Sequence, residues 1–117
     1  MEQLTIYIAG KVTGEDYKHC VAKFATAQRI LEAEGYKVVN PIELVPAGTE
    51  WEQAMSICLN ALSTCDGLLL LPDWIYSEGA QMERDFAIMN NIDKITMVEF
   101  SLGNRFEHRL ISTKIDG

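Results

Sequence analysis

A serine and a glutamate six residues apart form the first candidate site in this sequence. Ser77 and Glu83 lie in a segment with helical periodicity, and Ser77 suits the N-cap, so that its hydroxyl and the first unpaired N–H groups face any ligand crevice. Gly79 and Ala80 keep the first turn narrow enough for a ligand to approach the backbone. Ala80 and Ala87 flank Glu83 on one helix face, which indicates that this face packs inward or borders a cavity. A carboxylate there needs a functional explanation, although a glutamate on a solvated face is the common alternative.

A glycine-containing loop near the N-terminus is the second candidate. Gly10, Lys11 and Gly14 follow a strand-like run and precede a helix. Glycines let backbone N–H groups converge on an anion, and the start of a helix adds positive potential. Neither the Walker pattern nor GxGxxG is present, so the loop taken alone favours a plain glycine turn between strand and helix.

Loops after the second and third predicted strands supply the remaining candidates. Asn40 follows the second strand, and Asp73 lies in the loop after the third. Trp74 and Tyr76 in that same loop could stack on a planar base, with packing against the protein as the alternative. His19 lies near the first loop and is expected at the surface.

Alternating strands and helices must position these loops. Short apolar runs predict buried strands over residues 4–9, 36–39, 66–71 and 95–100. Periodic apolar positions predict helices over residues 17–34, 51–63 and 77–90. Residues 41–50, with two prolines and a glycine, are expected to form a loop.

This alternation is typical of βαβ units and predicts an α/β fold. We expect residues 1–117 to form a single Rossmann-like (flavodoxin-like) three-layer domain with a four- or five-stranded, mostly parallel sheet. In such a sheet, ligands bind beyond the carboxyl ends of the strands, where the strand order reverses, and the candidate loops begin there. Residues 101–117 fit either an added edge strand or a short helix.

Composition limits the expected partners and cofactors. The net charge is −7 with no basic run, so neither a nucleic-acid polymer nor a membrane surface is an expected partner. No apolar stretch approaches the roughly 20 residues of a bilayer span, and no secretory leader is recognisable, so we expect a cytoplasmic protein. Cys20, Cys58 and Cys65 lack metal-site spacing and are expected to be buried thiols. We expect no metal and no cofactor.

Three motifs together resemble the nucleoside 2-deoxyribosyltransferase-like superfamily. They are Tyr7-Ile8-Ala9-Gly10 with Gly14, Cys65-Asp66 at the start of a strand, and Ser77-x-Gly79-Ala80-x-x-Glu83-x-x-x-Ala87. Within that superfamily the chain is similar to a family of small uncharacterised phage and bacterial proteins that carry LPxW-x-x-SxGAxxE. It also resembles the 2′-deoxynucleoside 5′-monophosphate N-glycosidases, which have a serine six residues before the glutamate. The resemblance extends from about residue 6 to residue 100.

The resemblance implies a site that cleaves or transfers an N-glycosidic bond. Glu83 matches the glutamate that attacks the sugar C1′ or stabilises its oxocarbenium character, and Tyr7 matches a tyrosine that orients that carboxylate. Ser77 and the loop from Gly10 to Gly14 match the part that holds a 5′-phosphate. The implied ligand is a small nucleoside or nucleotide. Related proteins form dimers in which a neighbouring chain closes the pocket, so a homodimer or higher homo-oligomer is expected.

One position departs from the pattern of the active enzymes. They carry an aspartate shortly before the third strand that assists departure of the base, whereas this chain has Cys58 or Leu59 there. Asp73 is the candidate replacement, and Asp66 is a weaker one, because an aspartate at the start of a strand usually lies at the other end of the sheet. Three hypotheses therefore stay open: a hydrolase or transferase acting through Glu83, a binding module that has lost turnover, and a structural or interaction domain.

Overall fold

Four parallel strands form the centre of the molecule. A computed structural model describes residues 3–107. Its strands are β1 (Thr5–Ala9), β2 (Lys37–Val39), β3 (Gly67–Leu70) and β4 (Asp93–Thr96); its helices are α1 (Tyr17–Ala33), α2 (Pro41–Leu44), α3 (Trp51–Leu62), α4 (Glu78–Met89) and α5 (Met97–Ser101), with a 3-10 turn at Trp74–Tyr76. The strand order is β2-β1-β3-β4, and every neighbouring pair is parallel. The predicted three-layer α/β fold is confirmed, with four strands among residues 3–107.

The two central strands are apolar because helices cover both faces of the sheet. Ile6 and Ile8 of β1 belong to the core on one face, while Tyr7 and Ala9 belong to the core on the other. All four side chains are fully buried. A strand enclosed on both sides has no solvent-facing positions, which explains why its sequence does not alternate between polar and apolar residues.

The first face of the sheet is covered by α1 and by the chain that follows β4. Phe24, Ala27 and Leu31 of α1 pack in one cluster with Phe100 and Phe106. Phe106 is fully buried, and it lies over the start of β3. A Cβ on Gly67 would lie 2.5 Å from Cδ1 of Phe106, so the strand needs a glycine at that point.

The second face is covered by α3 and α4. Cys58 and Leu62 of α3 and Ala80 and Ala87 of α4 pack against β1 and β3, with Tyr7 in the same cluster. The small alanines on α4 bring that helix close to the sheet. This packing places the inward face of α4 over the central strand β1.

The order of the strands determines where a ligand-binding crevice can form. β1 lies between β2 and β3, so the chain passes from β1 to β2 on one side and then crosses back past β1 to reach β3 on the other side. The connections from neighbouring strands diverge at such a point and leave a crevice beyond the carboxyl ends of the strands.

The connection after β2 is more ordered than predicted. The expected loop over residues 41–50 begins with the helix α2. The Asn40 side chain accepts a hydrogen bond from the Ile42 amide at 3.0 Å, and Pro41 occupies the first helical position, which its fixed φ favours. This cap and proline start a short helix in a segment whose composition indicated a loop.

The predicted strand over residues 95–100 is wrong in its last four residues, and the observed strand begins two residues earlier, at Asp93. β4 ends at Thr96, and α5 begins at Met97. The Thr96 hydroxyl accepts a hydrogen bond from the Glu99 amide at 3.1 Å, while the Glu99 carboxylate accepts one from the Thr96 amide at 2.9 Å. This capping box ends the strand despite the β-branched residues around it.

Two further sequence expectations concern the ends of the chain and membranes. The edge strand or short helix expected over residues 101–117 falls, from residue 108 onward, outside the described residues. Within residues 3–107, no helix combines the length and the apolar character that crossing a bilayer requires.

Candidate functional site

A cavity of about 750 Å³ opens at the carboxyl ends of β1, β2 and β3. Gly10 and Thr13 contribute to its wall after β1, Pro41 after β2, and Ser77 after β3. Its volume lies in the range typical of small-molecule sites. The cavity therefore occupies the crevice that the strand order creates.

A buried carboxyl group forms part of the cavity wall. Glu83 of α4 is only 5% exposed, and it faces the sheet between the buried Ala80 and Ala87. The hydroxyl of Tyr7, which is fully buried on β1, donates a hydrogen bond to Oε2 of Glu83. The central strand therefore fixes the orientation of a carboxyl group carried by the covering helix.

The burial of Glu83 changes its acidity. Desolvation raises the pKa of Glu83 to about 7, and the hydrogen bond from Tyr7 offsets this only in part. Burial, and then the charge of Glu83, raises the pKa of Tyr7 above its usual value, so the phenol remains a donor. No ion pair within residues 3–107 involves Glu83. This carboxyl therefore changes charge near neutral pH.

A cysteine lies beside the Tyr7–Glu83 pair. Cys58 of α3 is buried and forms part of the cavity wall. Burial raises the pKa of the Cys58 thiol, an effect that the interaction with Tyr7 opposes and the charge of Glu83 reinforces. The thiol is therefore neutral at physiological pH and a poor proton donor.

The start of α4 forms another part of the wall. The Ser77 hydroxyl accepts a hydrogen bond from the Ala80 amide at 3.0 Å, which confirms Ser77 as the N-cap. A Cβ on Gly79 would lie 3.1 Å from Sδ of Met55, so the glycine permits close packing of α4 on α3. Glu78, in the first turn, also belongs to the wall and is its second acidic residue.

Comparison with known proteins gives a family. A family model described as a domain of unknown function, DUF4406, matches residues 4–97. The chain belongs to the DUF4406 family. No curated protein matches it. The matched region of this DUF4406 domain includes Tyr7, Cys58, Ser77 and Glu83, so the cavity and its buried carboxyl lie within the part that defines the family.

Asp73 lies outside the wall of the cavity in the DUF4406 domain. Its Oδ2 is 2.6 Å from Nζ of Lys23, and its Oδ1 accepts a hydrogen bond from the Lys11 amide at 3.1 Å. Partial burial acts to raise the pKa of Asp73, but the hydrogen bonds from Lys23 and Lys11 hold it below its usual value. The structure thus places this predicted catalytic residue in a cluster that fastens the loop after β1.

Close packing supports the same cluster. Lys23 Nζ also donates to the carbonyl oxygen of Lys11 at 2.7 Å. A Cβ on Gly10 would lie 2.8 Å from Cδ1 of Leu71 and 3.2 Å from Oδ1 of Asp73, so a larger residue at this position would force its neighbours to shift. Lys11 therefore contributes its backbone to the loop, and it does not belong to the cavity wall.

The other predicted binding residues divide into two groups. Gly10, Ser77 and Gly79 belong to the wall, whereas Gly14, Asn40 and Trp74 do not. Asn40 is buried and donates to Gln28 at 3.0 Å in addition to capping α2, so it supports the wall that the next residues form. Trp74 packs against the second core, with the Arg84 guanidinium 5.4 Å from its ring centroid.

Several wall residues were not singled out from the sequence as binding candidates. Tyr17 begins α1, Trp51 begins α3, and Val45 and Pro46 lie in the connection between α2 and α3. The available signal was the position of that connection at the carboxyl end of β2. Trp51 lies on the apolar face of the predicted helix over residues 51–63, which favoured a place in the core. A residue that lines a cavity and a residue that packs in the core follow the same apolar pattern in a sequence.

The described part of the chain offers no arrangement for a metal. Among residues 3–107, no group of three or more histidine, cysteine or acidic side chains could hold a metal ion. The chemistry available at the cavity is that of carboxyl, phenol, hydroxyl and thiol groups.

Proposed function

We propose that this domain binds a nucleoside or its 5′-monophosphate and cleaves or transfers the N-glycosidic bond through Glu83. The observation that carries the proposal is the state of that side chain. It is buried, outside any ion pair of residues 3–107, oriented by Tyr7 and part of a cavity wall. Burying a carboxyl group without a cation is costly, and catalytic sites are where such costs are common.

The chemistry requires a fixed negative charge beside the sugar. When the C1′–N bond breaks, its electron pair leaves with the base and positive charge develops on the sugar. The Glu83 carboxylate supplies the opposite charge or forms a bond to C1′. Water, or a second base in a transfer reaction, then completes the substitution at C1′, and the departing base takes up a proton.

The remaining wall suits an aromatic base. Tyr17 and Trp51 contribute rings from two helices, and Tyr76 contributes a third from the 3-10 turn. Aromatic side chains bind planar rings by stacking. The cavity volume of about 750 Å³ accommodates a base and a sugar together.

Release of a free base tests the proposal directly. The purified chain is incubated with deoxynucleosides, ribonucleosides and their 5′-monophosphates, and base release is followed by chromatography. Glu83→Gln preserves shape while removing the negative charge, and we expect it to abolish release. Glu52→Gln is the matched control, because Glu52 is an exposed acid in the first turn of α3 outside the wall. Equal rates for wild type and Glu83→Gln would refute a role for Glu83.

A second candidate function is ligand binding without turnover, and Cys58 favours it. The related enzymes have an acid near this position that assists departure of the base, whereas Cys58 is a neutral thiol with a raised pKa. Asp73 is held by Lys23 outside the wall. With neither Cys58 nor Asp73 available as a proton donor, the departing base would have to take its proton from water.

Thermal unfolding separates the two functions. A nucleoside or nucleotide that raises Tm without releasing a base supports the binding module, since a ligand at 100 times its Kd stabilises by about 2.7 kcal/mol. If the whole panel produces neither base release nor a change in Tm, both candidates fail and the structural or interaction role remains.

A further inference from the structure

The charge on the cavity wall is entirely negative in the described part of the chain. Among residues 3–107, the wall includes the acidic residues Glu78 and Glu83 and contains no lysine, arginine or histidine. A phosphate site built from side chains would have arginine or lysine at hydrogen-bond distance. This wall therefore lacks the groups that would compensate a dianion.

Two of the nearby cations, Lys23 and Arg84, are engaged elsewhere. Lys23 Nζ lies 2.6 Å from Asp73 Oδ2 and 3.8 Å from Glu15 Oε1. Arg84 Nη1 lies 3.3 Å from Asp85 Oδ1, with its guanidinium over Trp74. Because their charges are matched by carboxylates, these side chains add little positive potential at the cavity.

The partial positive charge at the N-terminal end of α4 is also compensated. A helix start carries partial positive charge that attracts anions. Glu78 places a carboxylate in this first turn, and the Ser77 hydroxyl already accepts the Ala80 amide hydrogen. Glu78 is exposed and makes no ion pair within residues 3–107, so no described cation neutralises its charge beside the cavity.

We infer that Glu78 makes the cavity select uncharged nucleosides over their 5′-monophosphates. This inference rests on the proposed function and specifies its substrate class. It runs against the 5′-phosphate site that the resemblance implies at Ser77 and the loop from Gly10 to Gly14. The hydroxyls of the sugar would meet Ser77 and Glu78, which can accept their hydrogens, where a phosphate would meet repulsion.

The test compares matched ligand pairs on two variants of the full chain. Dissociation constants are measured by calorimetry for each deoxynucleoside and its 5′-monophosphate, at low and at high salt. We expect wild type to bind the nucleoside more tightly. In Glu78→Gln we expect the monophosphate to gain about fivefold at low salt, which corresponds to one carboxylate acting on a dianion across roughly 8 Å of water, while nucleoside affinity is unchanged. High salt should reduce this gain.

Glu52→Gln provides the matched control. It removes the same charge from the first turn of another helix without touching the wall, and its ligand preference should equal that of wild type. A wild-type preference for monophosphates, or a Glu78→Gln variant with an unchanged ratio, would overturn the inference and leave the proposed function standing. Absence of binding by every nucleoside and nucleotide would instead defeat the proposed function, and the inference with it.

Discussion

Glu83 has a charge that depends on pH because the fold removes it from water. Its pKa rises from 4.5 to about 7 on folding. Below pH 4.5 the side chain is protonated in both the folded and the unfolded states. Between 4.5 and about 7 the folded protein keeps a proton that the unfolded chain releases, so this group's contribution to stability falls as pH rises. Above about pH 7 the folded protein carries the full cost of burying the ionised Glu83 carboxylate.

Glu83→Gln should remove this pH dependence. Relative to wild type, the free energy of unfolding of the variant should increase by about 3 kcal/mol between pH 4.5 and pH 8, because the glutamine carries no charge to desolvate. Urea unfolding at a series of pH values measures the difference. Glu52→Gln should follow the wild-type curve, and parallel curves for Glu83→Gln and wild type would contradict the prediction.

Tyr7→Phe tests the hydrogen bond that orients the carboxyl. The phenol stabilises the ionised form of Glu83, so its removal should raise the Glu83 pKa above 7. Carbon NMR titration of the Glu83 carboxyl measures the pKa without depending on activity. If the protein releases bases, the rising limb of the pH–rate profile should shift to higher pH together with the Glu83 pKa. A shift of its midpoint from about 7 to about 8 should lower the rate at neutral pH roughly fivefold. An unmoved titration midpoint would exclude Tyr7 as the orienting donor.

At the scale of elements, one ion pair fastens the connection between β1 and α1. Asp73→Asn should lower the free energy of unfolding by about 1 kcal/mol, because Lys23 loses its charged partner. Asp85→Asn, which affects an exposed surface pair, should change it by only a few tenths. Both are measured by urea unfolding. If Asp73 holds the loop and takes no part in the chemistry, any base release should keep its pH profile in Asp73→Asn, and a lost alkaline or acidic limb would restore Asp73 as a catalyst.

The same scale shows what the sequence could and could not predict. Helices α1, α3 and α4 end within a residue of their predicted bounds, because apolar periodicity and the Ser77 cap are local signals. The break between β4 and α5 was missed because two reciprocal hydrogen bonds at Thr96 outweigh the strand propensity of its neighbours. The sequence also predicted which face of α4 packs inward, because the small residues Ala80 and Ala87 lie on that face.

The site was less predictable than the elements that form it. Tyr7 and Glu83 are separated by 76 positions, and their hydrogen bond depends on how α4 packs over β1. The sequence linked them only through resemblance to known enzymes. Asp73 looked like a free acid because nothing local indicates that Lys23, 50 positions away, engages it.

At the scale of the whole molecule, the segment after α5 completes the core. Phe106 occupies the space over Gly67, so Gly67→Ala should force a displacement and destabilise the protein by about 2 kcal/mol. Phe106→Ala should cost about 3 kcal/mol through the cavity that it leaves. In the double variant the new methyl group enters that cavity, so its loss in urea unfolding should be smaller than the sum of the two. Additive losses would mean that the two residues do not press on each other.

The position of Phe106 also constrains how the chain can fold during synthesis. A nascent polypeptide that has emerged only through β4 already contains all four strands, yet one face of β3 lacks the ring that seals it. Until residue 106 leaves the ribosome, that apolar surface stays open to water or to other chains. Among residues 3–107, the last core contact to be made is therefore at the middle of the sheet, and shortening the chain before this phenylalanine should favour aggregation over native assembly.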